Sequence, residues 1–211
     1  FGLTTRQVRL LMAAAAPVLS VDISRLYPFA WADFAAKLPS AGFLAELVSD
    51  EPGDRSAITE FGPQSPLVRY KLLELRDNSA WGTPSPQLHK GVVLPDSVAA
   101  LLMGAEPALG EVGHLEPADA ALPLAQLFIS PATLETLRGT LKGAITVGRP
   151  RPLLIGGRSC GRRTMVATLA AEHGWGVLTV DLAQIITQAE TVFDKLAEAS
   201  REALLRRAVL L

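Results

Sequence analysis

Ten residues constrain this chain more than any others. From Ile155 to Thr164 it reads Ile-Gly-Gly-Arg-Ser-Cys-Gly-Arg-Arg-Thr, with a short apolar run before it and a helical pattern after it. Gly156 and Gly161 stand with four residues between them, the glycine spacing of a phosphate-binding loop. Glycines in such a loop let successive backbone N–H groups point at one anion. A helix starting near Arg162 adds the positive end of its dipole to the same spot. Five arginines (149, 151, 158, 162 and 163) fall within fifteen residues that contain no acid, in a chain of net charge −1. That local surplus points to an anionic ligand.

The flanking pattern sets the expected fold class. Residues 151–155 and 176–180 read as buried strands, residues 162–173 and 187–207 as helices, and residues 208–211 as a third apolar strand. Uniformly apolar strands alternating with helices are the signature of a parallel α/β sheet. The expectation is an α/β P-loop NTPase unit with an incomplete parallel sheet over residues 131–211. Its first helix begins at Pro131, with Ser130 as cap.

Residues 1–104 follow another pattern. Thr4 and Thr5 can cap a helix over residues 6–16, closed by Pro17. Short helices are expected at residues 33–37, 41–48 and 55–61. Two strands follow at 67–76 and 87–94, joined by a turn-rich stretch, and then a helix from Asp96 to Met103. Helices, a hairpin and a closing helix outline a winged-helix-like module. Residues 105–130, with little periodicity and scattered Pro and Gly, read as a linker.

Other features narrow the function. Residues 1–80 hold eight Lys or Arg against nine Asp or Glu, whereas a nucleic-acid reader carries a basic stripe. This balance favours protein contact over nucleic acid. The apolar stretch of residues 10–19 is about half the ~20 residues a membrane helix needs, so no membrane role is expected. The single cysteine, Cys160, forms no internal disulfide, and the cytoplasm is the default compartment. Asp181 ends a strand, where it could face a ligand or cap the next turn. His89, His114 and His173 show no metal spacing.

Residues 151–185 resemble the first strand, Walker A loop, helix and second strand of AAA+ ATPases. Residues 1–104, through FGLTTRQVRLLMAAAAPVL, SRLYPFAWAD, SPLVRYKLLELR and LHKGVVLPDSVAALLMG, resemble the N-terminal region of a bacterial AAA+ subgroup. That subgroup carries a winged-helix domain and is often linked to contractile injection systems. The resemblance implies ATP and Mg²⁺ as cofactors. It places Gly156, Gly157, Arg158, Ser159, Cys160, Gly161, Arg162, Arg163 and Thr164 on the phosphates. Arg162 would stand for the usual lysine, and Thr164 would approach the metal. It also implies a homo-oligomeric ring that remodels a protein partner gripped by the N-terminal module. The acidic pair needed for hydrolysis would lie after the third strand, beyond Leu211, so no catalytic residue is expected in this stretch. Arginine at both the lysine and the hydroxyl positions keeps one alternative open, an adaptor with a relic loop, and the winged-helix outline keeps a second, a nucleic-acid binder.

Overall fold

A computed structural model describes residues 1–31, 38–77, 85–105, 109, 113–147, 154–155, 157, 160–186 and 191–211. The chain forms two compact units, Phe1–Ala108 and Leu109–Leu211.

The first unit opens with helix α1 (Thr5–Leu19). Its start is a capping box. The Gln7 N–H donates to Thr4 Oγ1 at 3.2 Å and the Thr4 N–H donates to Gln7 Oε1 at 2.9 Å. Gln7 is buried, and its Nε2 donates to Glu60 Oε2 at 2.8 Å, tying α1 to the 3₁₀ turn Ser56–Phe61. The helix does not stop at Pro17, as the sequence leads one to expect. It runs on to Leu19, and Ser20 turns the chain into α2 (Val21–Trp31), bent 115° from α1. Proline lacks the N–H that would serve the carbonyl four residues back, here Ala13. The Tyr27 hydroxyl on α2 donates to that Ala13 carbonyl at 2.6 Å instead. The Tyr27 ring then meets Phe43 edge-on at 5.4 Å.

Ser40 caps α3 (Ala41–Leu47), its hydroxyl accepting from the Phe43 N–H. The expected strand over 67–76 is mostly not a strand. Ser65 caps and Pro66 opens the short helix α4 (Pro66–Arg69), because a serine–proline pair favours a helix start. Only β1 (Glu74–Arg76) is extended. It pairs antiparallel with β2 (Gly91–Val93), while Gln87–His89 upstream forms a 3₁₀ turn. A third extended segment flanks β2: Ser40 bridges Gly91, and the Val92 N–H donates to Pro39 O at 2.8 Å. Helix α5 (Asp96–Leu102) closes the unit, with Pro95 rather than Asp96 at the cap position and Gly104 at φ +75° after its end. Leu10, Leu44, Phe61, Leu67, Leu72 and Leu73 form its fully buried centre. The expected helix over 33–37 lies outside the described residues.

The second unit contains β3 (His114–Glu116), inside the segment expected as a linker. It pairs antiparallel with β4 (Gly176–Thr179), which pairs in parallel with β5 (Ala208–Leu210). The sheet is therefore mixed, not all parallel. A Cβ on Gly113 would lie 2.4 Å from the Thr179 carbonyl oxygen, so this close approach of β3 to β4 requires glycine. Helices α6 (Pro131–Val147) and α7 (Arg162–Ala171) pack together. Leu141, Val166, Leu169 and Ala170 meet Val177 in one buried cluster. Short α8 (Leu182–Ile186) and long α9 (Val192–Leu205) connect β4 to β5. The expected helix from residue 187 begins, among described residues, at Val192. Near the end of α9, Glu202 is buried between Arg201 and Arg206, both of which pair with its carboxylate. Of the strand expected at 151–155, residues 151–153 lie outside the description. Leu154 and Ile155 are in no strand, and Ile155 is 87% exposed.

The Tyr27–Ala13 bond yields a test. Tyr27→Phe leaves the Ala13 carbonyl without its donor and should cost about 1–2 kcal/mol in urea unfolding. Adding Pro17→Ala restores a main-chain N–H to that carbonyl and should recover most of the loss. Equal losses with and without Pro17→Ala would show that the hydroxyl serves some other purpose.

Candidate functional site

The start of α7 is set by one backbone conformation. Gly161 sits at the N-cap with φ +77° and ψ 13°, a left-handed geometry that glycine adopts without strain. No side chain caps this end. The first helical N–H groups, from Arg162 onward, therefore face outward with the dipole behind them. The Met165 N–H closes the first turn on Gly161 O at 2.8 Å. A Cβ on Gly157 or Gly161 would meet nothing within 4 Å, so the space at these two positions is open. Cys160 is exposed. Gly156, Arg158 and Ser159 lie outside the described residues.

The two arginines do different things. Arg162 is half-buried, and its Nη1 reaches back to the Leu154 carbonyl at 3.4 Å, bridging the two ends of the loop. Arg163 turns the other way. Its Nε donates to Glu116 Oε2 at 3.1 Å, fastening α7 to the edge strand β3. Glu116 is the residue that sequence reasoning missed. It lies in a three-residue strand, too short to show alternation, inside an apparent linker.

Thr164 was expected to approach a metal if the helix began one residue late. It does not: α7 begins at Arg162 and Thr164 is its third residue. At 3.6 residues per turn, Thr164 is rotated about 100° from the position that normally presents the hydroxyl. Its carbonyl accepts from the Thr168 hydroxyl, which also lies 2.9 Å from Leu122 O. The position itself carries Arg163, a cation already facing a carboxylate. Among the described residues, Arg163 at that position offers Mg²⁺ no oxygen ligand. Among the described residues no cluster of His, Cys, Asp or Glu could hold a metal ion.

Asp181, at the end of β4, accepts from the Ala183 N–H at 2.9 Å and so caps the following turn. Trp175 packs against the core beside α7.

The surface of the first unit is chemically distinct. Arg9, Arg25, Arg55 and Arg76 lie 3.0–3.9 Å from the carboxylates of Asp50, Asp22, Glu46 and Glu74. After α3 the chain offers a six-residue 3₁₀ turn and then the four-residue α4. The turn buries Ala57 and Phe61, and its Glu60 holds Gln7. By contrast, α2 buries none of its described side chains. Val21, Leu26 and Phe29 are 67%, 63% and 70% exposed. Among the described residues no single helix is long and apolar enough to cross a membrane. Helices α1 and α2 reach that composition only as a sharply bent pair.

Comparison with protein families matches residues 1–114 to the model described as "winged helix domain, variant". The chain belongs to the winged helix domain family. The match covers the antiparallel β1–β2 pair, the Ser40 bridge that flanks it, and helices α1 to α5. Comparison with curated proteins and with solved structures gives no match.

The α6–α7 contact behind the loop is held partly by charge. Arg138 on α6 donates through Nε and Nη2 to the two carboxylate oxygens of Glu172, both at 2.9 Å. The Arg138 hydrogen bonds hold the Glu172 carboxyl below its ordinary range. A depressed carboxyl stabilises the fold above its unfolded pKa and loses that effect as pH falls through its folded pKa. Glu172→Gln should therefore lower the thermal midpoint at neutral pH. The gap from the unsubstituted chain should close as pH drops below the carboxylate range. A gap independent of pH would show that the ion pair is not its source.

Proposed function

We propose that this protein binds ATP at the start of α7 and uses its winged-helix unit to grip a protein partner, in the manner of an AAA+ remodelling ATPase acting as a homo-oligomeric ring. The nucleotide half rests on one observation: a glycine at φ +77° opens α7 directly after the glycine-rich loop, with Arg162 as its first residue. There the outward N–H groups and the dipole favour phosphate, and Arg162 supplies the charge a lysine ordinarily would. Bound ATP would supply the triphosphate whose cleavage drives remodelling. This chain's own part is to cradle it through the backbone from Gly157 to Thr164. The parallel β4–β5 pair, joined through α9, also supports the reading, because helix-crossed parallel strands build the sheets on which such loops sit. The link to contractile injection systems belongs to the same proposal and rests on the resemblance alone.

The partner half rests on the surface of the first unit. Four of its arginines already face carboxylates, and α2 presents bulky apolar side chains. Exposed apolar surface of this kind marks protein contact. DNA readers of the helix-turn-helix type lay a recognition helix in the major groove. Here the chain after α3 has only a six-residue 3₁₀ turn, with Ala57 and Phe61 buried, and four helical residues at that point.

The family membership favours one second reading, nucleic-acid binding by the winged-helix unit, and the charge pairing speaks against it. Fluorescence anisotropy with labelled duplex DNA decides between them. We expect no binding at moderate salt. Saturable binding that weakens steeply with salt would establish the second reading. For the nucleotide half, calorimetry should give saturable ATP binding that Arg162→Ala weakens about tenfold or more, near 1.4 kcal/mol. Unchanged affinity in that variant would remove Arg162 from the site, and no binding in either protein would leave the loop an inert lead-in to α7.

A further inference from the structure

We infer that the exposed face of α2 pairs with the same face of a second copy of this chain, antiparallel across a two-fold axis, an inference that rests on the reading of this face as a protein contact and names the partner. Tyr27 holds one side of α2 toward α1. At ~3.6 residues per turn, Asp22, Arg25 and Phe29 lie about 140–160° round the helix from Tyr27. Leu26 follows Asp22 by one helical turn and Val21 precedes Arg25 by one, so each apolar side chain neighbours one charge. Val21 and Leu26 are 67% and 63% exposed. The Asp22 and Arg25 side chains are 92% and 75% exposed, and their mutual contact, Arg25 Nη1 to Asp22 Oδ1, is a long 3.9 Å. An exposed pair of this kind adds little to the fold, so both charges can turn to a partner.

The order of these residues selects the occupant. Along α2, Val21 and Asp22 are followed, after Ile23 and Ser24, by Arg25 and Leu26: apolar, acidic, then basic, apolar. A two-fold axis crossing the helix between Ile23 and Ser24 exchanges Val21 with Leu26 and Asp22 with Arg25. Asp22 of each copy then faces Arg25 of the other, and Val21 of each faces Leu26 of the other. Contacts of this reciprocal kind define an isologous interface. A parallel pairing would instead set Asp22 against Asp22 and Arg25 against Arg25. Like charges across an interface repel, so the charges favour the antiparallel pairing. An unlike protein would need a matching pattern of its own, which a second copy carries already. The ring proposed above uses head-to-tail contacts, so the α2 contact is additional to it.

The test is the mass of the 211-residue chain without nucleotide, by sedimentation velocity over a range of concentrations. It compares the unsubstituted chain with Asp22→Arg, with Arg25→Asp and with both together, each checked for folding by circular dichroism. The unsubstituted chain should reach twice the monomer mass as concentration rises. Each single variant should dimerise about tenfold or more weakly, because like charges then face each other. The double variant sets opposite charges against each other again and should dimerise as the unsubstituted chain does. Mixing the two single variants should also give the two-chain mass, since each supplies the charge that the other lacks. A chain that stays monomeric throughout, or a dimer indifferent to the single substitutions, would overturn the inference and leave α2 open to an unlike protein. Single losses that neither the double variant nor the mixture recovers would overturn the antiparallel pairing. Saturable duplex DNA binding that Leu26→Asp abolishes would instead overturn the protein-contact reading of α2, which a monomeric mass does not.

Discussion

The left-handed backbone of Gly161 is the constraint on which the chemistry of the second unit depends. It fixes α7 to begin at Arg162, and every side chain that follows takes its direction from that start. Arg162 falls back across the loop toward Leu154, Arg163 falls toward β3, and Thr164 is carried a further 100° round the axis. A helix beginning one residue later would have exchanged these roles and placed a hydroxyl where a metal ion is ordinarily held. The Glu116–Arg163 pair then secures the arrangement from outside the helix. Partly exposed, it adds little to stability; its consequence is positional.

In the first unit the comparable constraint is a proline. Pro17 removes a donor from α1 without ending the helix, and the vacant Ala13 carbonyl becomes the anchor for Tyr27. That bond and the Tyr27–Phe43 contact hold one side of α2 down, while Val21, Leu26 and Phe29 stand out on the surface. The exposed apolar surface offered as a partner contact thus lies on the same helix that this bond secures.

Much of this was legible from local sequence. The cap at Thr4, the serine cap at Ser130, the glycine at 161, and the strands β4 and β5 all announce themselves in neighbouring residue types. The winged-helix character was legible as an order of elements over residues 1–104, within the matched 1–114. The strand ends were not: residues 67–76 carry a strand-like apolar pattern, yet Ser65 and Pro66 start a helix within it. Nor was β3, because three residues in a segment scattered with glycine and proline carry no period.

The sequence by itself determined where elements can start and stop, and which segment concentrates positive charge on glycine-rich backbone. These are properties of neighbouring residues, fixed by sterics and local hydrogen bonds. Only the tertiary structure decided what the charges do. Whether Arg163 meets a ligand or a carboxylate depends on β3, 47 residues away along the chain. Which donor meets the carbonyl that Pro17 leaves open is settled by a tyrosine hydroxyl on the next helix. Such partners are selected by packing between elements distant in sequence, and no local pattern encodes that distance.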